Sequence, residues 1–144
     1  MKKILVLNGP NLDMLGVREP DVYGSNTLGD LERQVADYGA RRGVEVSCAQ
    51  SNSEAELIEA IHASPGRYDG IVYNPGAHTH YSYALHDCIE GVPVPVVEVH
   101  ISDISAREEF RRTSVLVDAC IGQVAGLGAD SYLRGVDLLL EHLR

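Results

Sequence analysis

Ile4-Leu5-Val6-Leu7 is an unbroken apolar run near the start of the chain, and polar Asn8 follows it at once. Four more short runs rich in valine and isoleucine lie further along, each bounded by glycine, proline or polar residues: Val44–Cys48, Gly70–Tyr73, Val94–Val99 and Ala119–Val124. Continuous apolar runs of this length are typical of parallel strands that are buried on both faces of a sheet. The sequence therefore predicts five such strands.

Segments with helical periodicity separate these runs. The first follows Thr27, a favourable N-cap residue, and closes at Gly43. The second follows the capping-box sequence Ser53–Glu56. Three further helices are expected, over Ala84–Ile89, Ser105–Arg112 and Tyr132–Leu143. Five strands that alternate with five helices predict a doubly wound α/β sandwich, in which a five-stranded parallel sheet carries helices on both faces and residues 1–144 form one domain.

Composition excludes some classes of function. The formal net charge of −9 argues against a protein that binds nucleic acid through a basic surface. It does not argue against an anionic small molecule, because the local charges of a site govern binding there. The apolar runs are far shorter than the roughly 20 residues of a membrane span, and the run after Met1-Lys2-Lys3 is too short for a signal peptide. We expect neither nucleic-acid nor membrane partners.

The three cysteines, Cys48, Cys88 and Cys120, are odd in number and widely spaced. They form neither a disulfide framework nor a CxxC metal pattern. The pattern favours buried, reduced thiols and therefore a cytoplasmic protein, with a catalytic thiol as the alternative.

Ligands of doubly wound sheets bind beyond the carboxyl ends of the strands, so the loops after the strands are the candidate site. The first of them, Asn8–Gly24, is longer than the usual connection of 2–6 residues, which indicates a functional loop. Its glycines match neither GxGxxG nor a Walker loop, so nucleotide binding is unsupported. Asn8 and Asn11 are either ligands of a bound molecule or turn residues.

Arg18 and Tyr23 lie in the same loop, on a segment flanked by Gly16, Pro20 and Gly24. A guanidinium beside a phenol stabilises the phenolate and lowers its pKa from about 10, which would make Tyr23 a usable base near neutral pH. The alternative is that Arg18 pairs on the surface with the glutamate that follows it and that Tyr23 packs. Local sequence does not choose between the two.

The loop after the third predicted strand, Asn74–His80, leads into a helix N-terminus, whose free N–H groups favour an anion. His78 and His80 resemble a metal pair, but a zinc site needs three or four ligands. Since no acidic or cysteine partner is suitably placed nearby in sequence, we predict no metal site and expect one of the two histidines to hydrogen-bond a substrate.

The fourth predicted strand ends in Glu98, His100 and Ser102, with Glu98 and His100 on one face of the strand. A carboxylate two residues from an imidazole can orient it and hold its proton, as a general acid requires. The alternative is a structural histidine. A Ser–His–Asp hydrolase is not supported, because the chain has no Gly-x-Ser-x-Gly elbow. One of Arg107, Arg111 and Arg112 could turn back over the loops and bind a substrate hydroxyl or carboxylate.

Together, five stretches resemble the type II 3-dehydroquinate dehydratases of the shikimate pathway, in that family's order and spacing and over nearly the whole chain. They are LNGPNLDMLGVREPDVYG (7–24), QSNSEAELI (50–58), NPGAHTHYSYAL (74–85), VEVHISDISAREEFR (97–111) and GLGADSYLRGVDLLL (126–140). The resemblance implies a flavodoxin-like sandwich that converts 3-dehydroquinate to 3-dehydroshikimate by anti elimination through an enolate, in biosynthesis or in quinate catabolism. It implies no metal and no organic cofactor.

The resemblance also assigns roles to single residues. The first loop would be a lid over about residues 16–24, with Tyr23 as the base and Arg18 as the residue that lowers its pKa. Asn11 would position a water against the enolate oxygen, and His100, oriented by Glu98, would protonate the departing hydroxyl. The substrate-binding residues would be Asn74, Ile101 and Ser102 at the carboxylate, His80 and Arg111 at the ring hydroxyls, and Asp87 in a neighbouring subunit of a dodecamer built from trimers.

Three alternatives remain at this level. The first is a non-enzymatic, flavodoxin-like binding or signalling module. It is disfavoured because the chain lacks both the acidic cluster of a receiver domain and the phosphate loop of a flavin carrier. The second is a relative that acts on another cyclic hydroxy acid, and the third is an inactive relative, which the presence of every expected catalytic residue disfavours.

Overall fold

A computed structural model describes residues 1–17 and 26–144. Its strands are β1 (Lys2–Asn8), β2 (Val44–Gln50), β3 (Gly70–Asn74), β4 (Val96–His100) and β5 (Gly122–Ala125). All neighbours pair in parallel, in the order β2-β1-β3-β4-β5. The predicted five-stranded parallel sheet is therefore confirmed, although β4 and β5 begin two and three residues later than their apolar runs.

The described chain contains four α-helices: α1 (Leu28–Arg41), α2 (Glu54–His62) and α3 (Tyr83–Glu90), which connect β1 to β4 in turn, and α4 (Asp130–His142), which follows β5. Thr27 caps α1 as predicted, because its hydroxyl accepts from the Asp30 N–H at 3.1 Å while the Asp30 carboxylate accepts from the Thr27 N–H at 3.0 Å. Ser53 and Ser82 cap α2 and α3 in the same way through their hydroxyls. None of these helices is long and apolar enough to cross a membrane.

The prediction of a fifth helix over Ser105–Arg112 is wrong. The segment contains two separate 3-10 turns, Ile104–Ala106 and Glu109–Arg111. The carboxylate of Asp103 starts the first turn by accepting from the N–H and the hydroxyl of Ser105. Extended backbone at Arg107 and Glu108 then interrupts it, so the two turns cannot merge into one helix.

The two faces of the sheet carry two apolar cores. Helices α1 and α4 cover one face, where Val35 and Val136 pack with Ile4 and Val6 of β1. Helices α2 and α3 cover the other, where Leu57 and Leu85 pack with Leu5 and Leu7. Alternate residues of β1 thus serve opposite cores, as expected for a strand buried on both sides. This arrangement leaves the carboxyl ends of the strands as the exposed edge at which side chains of several strands can meet.

The strand order reverses between β1 and β3, and the loops that follow these two strands are packed together there. The N–H of Gly9 donates to the Asn74 carbonyl at 2.8 Å. A Cβ atom at Gly9 would lie 2.6 Å from the backbone oxygen of Pro75, and one at Gly76, whose φ is +59°, would lie 3.0 Å from that of Pro10. Glycine at both positions therefore permits a backbone approach that a side chain would prevent.

Gly9→Ala is expected to lower the free energy of unfolding by about 1–3 kcal/mol, because the new methyl group overlaps backbone that cannot rotate away. Urea denaturation measures this change. Gly29→Ala in α1 is the matched control, since its Cβ would meet nothing closer than 3.7 Å, and it should stabilise the protein by about 0.5 kcal/mol. Equal effects of the two substitutions would contradict the close approach of the loops.

Candidate active site

A cleft opens at the carboxyl edge of the sheet, above the ends of β1, β3 and β4. The described residues that line it are Pro10, Asn11, Leu12, Asn74, Gly76, Ala77, His80, His100, Ile101, Ser102, Ile104, Arg107 and Arg111. None of them is acidic, although the whole chain carries a net charge of −9. Arg107 and Arg111 make this lining locally basic, which suits an anionic ligand. A more open depression around Lys3, Glu45 and Asp69 lies at the opposite, amino end of the strands.

The floor of the cleft contains a buried carboxylate–imidazole pair. The Glu98 side chain has no solvent exposure, and its Oε2 lies 2.5 Å from Nε2 of His100. Thr79 donates a hydroxyl hydrogen bond to the same oxygen at 2.5 Å, and Ser114 donates one to Oε1 at 2.8 Å. Because an ionised carboxylate only accepts, the Nε2 atom of His100 carries a proton. Its Nδ1 atom is then the ring nitrogen left for a ligand.

The charge of Glu98 depends on these donors. Burial by itself raises the pKa of Glu98, but the hydrogen bond and charge of His100 and the hydroxyls of Thr79 and Ser114 outweigh that effect. The result is a pKa below the ordinary value of 4.5. Glu98 is therefore an anion at neutral pH, and its carboxylate orients the imidazole of His100 by accepting the Nε2 hydrogen bond.

His80 lies on a wall of the cleft that is formed by the segments Gly76–His80 and Glu109–Arg111. Its Nδ1 atom donates to the backbone carbonyl of Thr113 at 2.8 Å, so in the neutral ring Nε2 is an acceptor. Burial lowers the pKa of His80, which favours that neutral form. Arg111 shares this wall; its Nε atom donates to Glu108 at 3.0 Å, and its guanidinium stacks on Phe110. The wall thus offers an imidazole acceptor and a guanidinium donor side by side.

Asn74 enters the cleft from the end of β3, and two neighbours hold its side chain. Its Oδ1 atom accepts from the Gly76 N–H at 3.0 Å, and its Nδ2 atom donates to the Tyr132 hydroxyl at 2.8 Å. That hydroxyl in turn donates to Oδ1 of Asn8 at 2.6 Å. Tyr132 belongs to α4 and has no solvent exposure. Through this side chain, α4 contacts the polar residues at the active-site edge of the sheet.

Asn11 adopts left-handed backbone, with φ of +70°, and is the one non-glycine residue in the described ranges with positive φ. Asparagine tolerates this region better than most residues. The N–H of Asn11 donates to Oδ1 of Asn52 at 2.9 Å, and Gln50 donates both to that oxygen and to the Gly9 carbonyl. The end of β2 thus fixes the loop that carries Asn11, and backbone held in a sparsely populated region is typical of functional loops.

The structure brings together seven of the eleven predicted site residues along the cleft: Asn11, Asn74, His80, His100, Ile101, Ser102 and Arg111. Glu98 lies directly beneath His100. Asp87 does not line this cleft; it lies on the exposed face of α3, beside His86. The predicted base, Tyr23, and its partner Arg18 lie outside the described residues.

Of the two histidines considered as a metal pair, His80 lines the cleft and His78 does not. His78 is buried away from the cleft, its ring edge meets Tyr81, and burial lowers its pKa. In the part of the chain that the structure describes, the one group of three possible metal ligands that converges is His86, Asp87 and Glu90, which lies on the outer face of α3.

Sequence inspection missed Thr79, Ser114 and Tyr132 as supports of the site. A glutamate between two valines of a buried strand signals that hydroxyl or cationic donors must surround it. That signal does not say which donors, because Ser114 reaches Glu98 from a loop 16 positions away. Tyr132 is part of the apolar stripe of α4, and this stripe predicts only that its ring packs in the core. The hydrogen bonds of its hydroxyl could not be predicted from that pattern.

The cysteines carry no sign of a catalytic thiol. All three are free. Burial raises the pKa of Cys48 and Cys88 to about 11 and that of Cys120 to about 12. Reactive cysteines require the opposite shift, because the thiolate is the nucleophile.

The strand order and the cleft at its reversal point define a flavodoxin-like α/β protein with a basic site for a small ligand. The chain belongs to the class II dehydroquinase family, whose model matches residues 2–140. It is 51% identical over 141 residues to a 3-dehydroquinate dehydratase of Anoxybacillus flavithermus, with 98% of this chain and 95% of the relative covered. It is 54% identical over 142 residues to a 3-dehydroquinate dehydratase of Thermotoga neapolitana, with 99% and 94% covered.

A solved structure is also similar over nearly the whole chain. The crystal structure of a type II dehydroquinase from Butyrivibrio crossotus superimposes with a TM-score of 0.94 at 44% identity, covering 96% of this chain and 97% of the other. These relatives confirm the family resemblance and the flavodoxin-like fold, and they identify an enzyme family. They give no support to a non-enzymatic binding module.

Glu98→Gln is expected to change how stability depends on pH. Since the pKa of Glu98 is lowered on folding, its carboxylate stabilises the native state above pH 4.5, and this contribution is lost as the pH falls further, through the folded pKa. The variant should be less stable than wild type by about 1–3 kcal/mol at pH 7, and the difference should narrow below pH 4.5.

Urea denaturation of both proteins at pH 7, 5 and 4 measures this difference. Glu45→Gln is the matched control, because Glu45 is exposed on β2 and its loss should change stability by less than about 0.5 kcal/mol. A difference between wild type and Glu98→Gln that stays constant with pH would show that the carboxylate is not the stabilising form.

Proposed function

We propose that this protein removes water from 3-dehydroquinate and releases 3-dehydroshikimate, by anti elimination through an enolate. The observation that carries the proposal is the His100–Glu98 pair at the floor of a cleft whose described lining has no acidic residue. The relatives named 3-dehydroquinate dehydratase support the choice of substrate. The proposed reaction uses neither a metal ion nor an organic cofactor.

The elimination needs a base and an acid on opposite sides of the substrate. Tyr23, as a phenolate beside Arg18, takes the proton next to the ketone and leaves an enolate. A water held by Asn11 stabilises the enolate oxygen. The enolate then collapses to a conjugated double bond, and the C–O bond of the β-hydroxyl breaks as His100 protonates the departing oxygen. One water leaves, and the proton on Tyr23 and the one lost by His100 are exchanged with solvent.

Substrate binding uses the remaining polar groups of the cleft. Asn74 and the N–H groups of Ile101 and Ser102 hold the carboxylate, an arrangement that the convergence of β3 and β4 supports. His80 and Arg111 bind the ring hydroxyls, for which the acceptor Nε2 of His80 and the donors of Arg111 are complementary. Residues 16–24 form a lid of this single domain that excludes water while the enolate exists.

The reaction is the third step of the shikimate pathway to chorismate and the aromatic amino acids, or a step of quinate degradation. A cytoplasmic location accords with either role, and the three free cysteines with their raised pKa values suit a reducing compartment.

The working assembly is a dodecamer built from trimers, in which Asp87 reaches the site of a neighbouring subunit. Several large apolar side chains support an interface around α3: Tyr81 is 59% exposed, Tyr83 70% and Phe110 61%. Tyr81 and Tyr83 lie at the start of α3, whereas Phe110 lies on the turn Glu109–Arg111, which contacts the segment Gly76–His80. Exposed apolar groups of this size are common at association surfaces. Asp87 projects from the same helix, away from its own cleft.

Incubation of the pure protein with 3-dehydroquinate should produce the ultraviolet absorbance of the conjugated enone. Tyr23→Phe should reduce kcat at least a hundredfold, because it removes the base and keeps the ring. Tyr68→Phe, at the opposite end of the sheet, is the matched control and should retain wild-type rates. A folded wild-type protein that yields no enone would refute the proposed activity, whereas a near-normal Tyr23→Phe rate would refute only the assignment of the base.

Asp87→Asn should lower kcat/KM about tenfold if its charge serves a neighbouring site. Light scattering should give a mass near twelve times the 15.6 kDa chain for both wild type and variant. Glu90→Gln, one turn further along the same exposed face, is the control and should change neither the mass nor the rate. Wild-type kinetics of Asp87→Asn would remove Asp87 from the site, and a smaller particle would refute the dodecamer.

A further inference from the structure

A single backbone group fixes the donor and acceptor roles in the hydrogen bonds around the Asn74 side chain. The N–H of Gly76 can only donate, so the side-chain atom of Asn74 that faces it at 3.0 Å must be the oxygen. The nitrogen of Asn74 therefore faces the Tyr132 hydroxyl at 2.8 Å and donates to it. Because this hydroxyl is then an acceptor for Asn74, its own proton points to Oδ1 of Asn8, 2.6 Å away.

This chain of hydrogen bonds determines which atom of the Asn74 side-chain amide is available to a ligand. The carbonyl oxygen is occupied by Gly76, and one of the two Nδ2 hydrogens is bound to Tyr132. The second Nδ2 hydrogen remains for a ligand in the cleft that Asn74 lines. Because one Nδ2 hydrogen remains available while the oxygen already accepts from Gly76, the amide favours a ligand group that accepts, such as a carboxylate.

Burial keeps the arrangement rigid. Asn8 and Tyr132 have no solvent exposure and Asn74 is 3% exposed, so water cannot easily replace any of the three bonds. Burial also raises the pKa of Tyr132, although the hydrogen bond from Asn74 opposes that shift. The hydroxyl therefore keeps its proton and its role as a donor to Asn8 at neutral pH.

We propose that Tyr132 is a positioning residue for substrate binding, which acts through Asn74 by fixing the side-chain amide with its N–H toward the substrate carboxylate. This inference rests on the proposed assignment of Asn74 to the carboxylate. Tyr132 extends from α4 to the site. Its ring packs in the core, and its hydroxyl orients the ligand-binding side chain of Asn74.

The chain offers a matched control for the loss of a buried tyrosine hydroxyl. Tyr73 immediately precedes Asn74 on β3 and, like Tyr132, has no solvent exposure. Its hydroxyl faces the opposite core and has no hydrogen-bond partner in the described part of the chain. Tyr73→Phe therefore removes the same atom from an equally buried ring without breaking a hydrogen bond.

The test compares steady-state kinetics on 3-dehydroquinate for Tyr132→Phe, Asn74→Ala, the double variant and Tyr73→Phe, with thermal melting to verify folding. Asn74→Ala should raise KM about tenfold or more, and Tyr132→Phe should raise it about fivefold, each with kcat within about twofold of wild type, because the carboxylate contact is retained throughout the reaction. Tyr73→Phe should match wild type in KM and kcat.

The decisive comparison is between Asn74→Ala and the double variant that combines it with Tyr132→Phe. If Tyr132 acts through Asn74, its loss should cause no further rise of KM once Asn74 is alanine, whereas a merely structural role would multiply the two effects. Should Tyr132→Phe fail to fold, Asn8→Ala removes the acceptor of the hydroxyl proton and leaves Tyr132 in place. It should raise KM in the same direction and, again, not in the Asn74→Ala background.

The outcomes separate this inference from the proposal on which it rests. Multiplied effects in the double variant, or a wild-type KM for Tyr132→Phe while Asn74→Ala is impaired, would overturn the role of Tyr132 alone. A wild-type KM for Asn74→Ala would overturn the carboxylate assignment and this inference with it. Absence of enone formation by the wild-type protein would instead refute the proposed activity.

Discussion

One buried negative charge, that of Glu98, constrains the whole active-site edge. A carboxylate without solvent exposure is tolerated only if donors surround it, and here the donors come from three separate segments: Thr79 after β3, Ser114 in the long connection to β5, and His100 on the same strand. Satisfying Glu98 therefore draws these segments together. The donors that stabilise the buried Glu98 carboxylate thereby shape the cleft and orient His100.

The parallel sheet makes that solution possible. Because β1, β3 and β4 all run in the same direction, Asn8, Asn74 and His100 end their strands at one edge, while the apolar residues that precede them fill two separate cores. The residues at the ends of these strands therefore serve the active site, whereas the apolar residues that precede them stabilise the fold. The exception is Tyr132, whose ring belongs to one of the cores and whose hydroxyl belongs to the site.

Most of the fold could be predicted from the sequence because the patterns that determine it are local. Apolar runs and N-caps such as Thr27 depend on residues within a few positions of one another, and the strands and the cap predicted from them are confirmed. The helix predicted over Ser105–Arg112 failed because a competing turn at Asp103 and extended backbone at Glu108 outweighed its helical composition. In the cleft, position at a strand end indicated His100 and the loop that begins at Asn74. The resemblance to a family then assigned a role to Asn74 and selected His80 and Arg111 among the histidines and arginines that local sequence had left open. Ser114 and the Tyr132 hydroxyl could not be predicted, because their roles depend on contacts between residues distant in the chain.

The basic lining of the cleft on an acidic chain has a kinetic consequence for the encounter with an anion. At long range the net charge of −9 repels such a molecule, while the guanidinium groups of Arg107 and Arg111 attract it only near the opening. At physiological ionic strength the screening length is about 8 Å, so salt suppresses the distant repulsion more than the attraction at contact. Capture is therefore a short-range event in which the cleft selects anions at its entrance, with little electrostatic steering from the bulk solution.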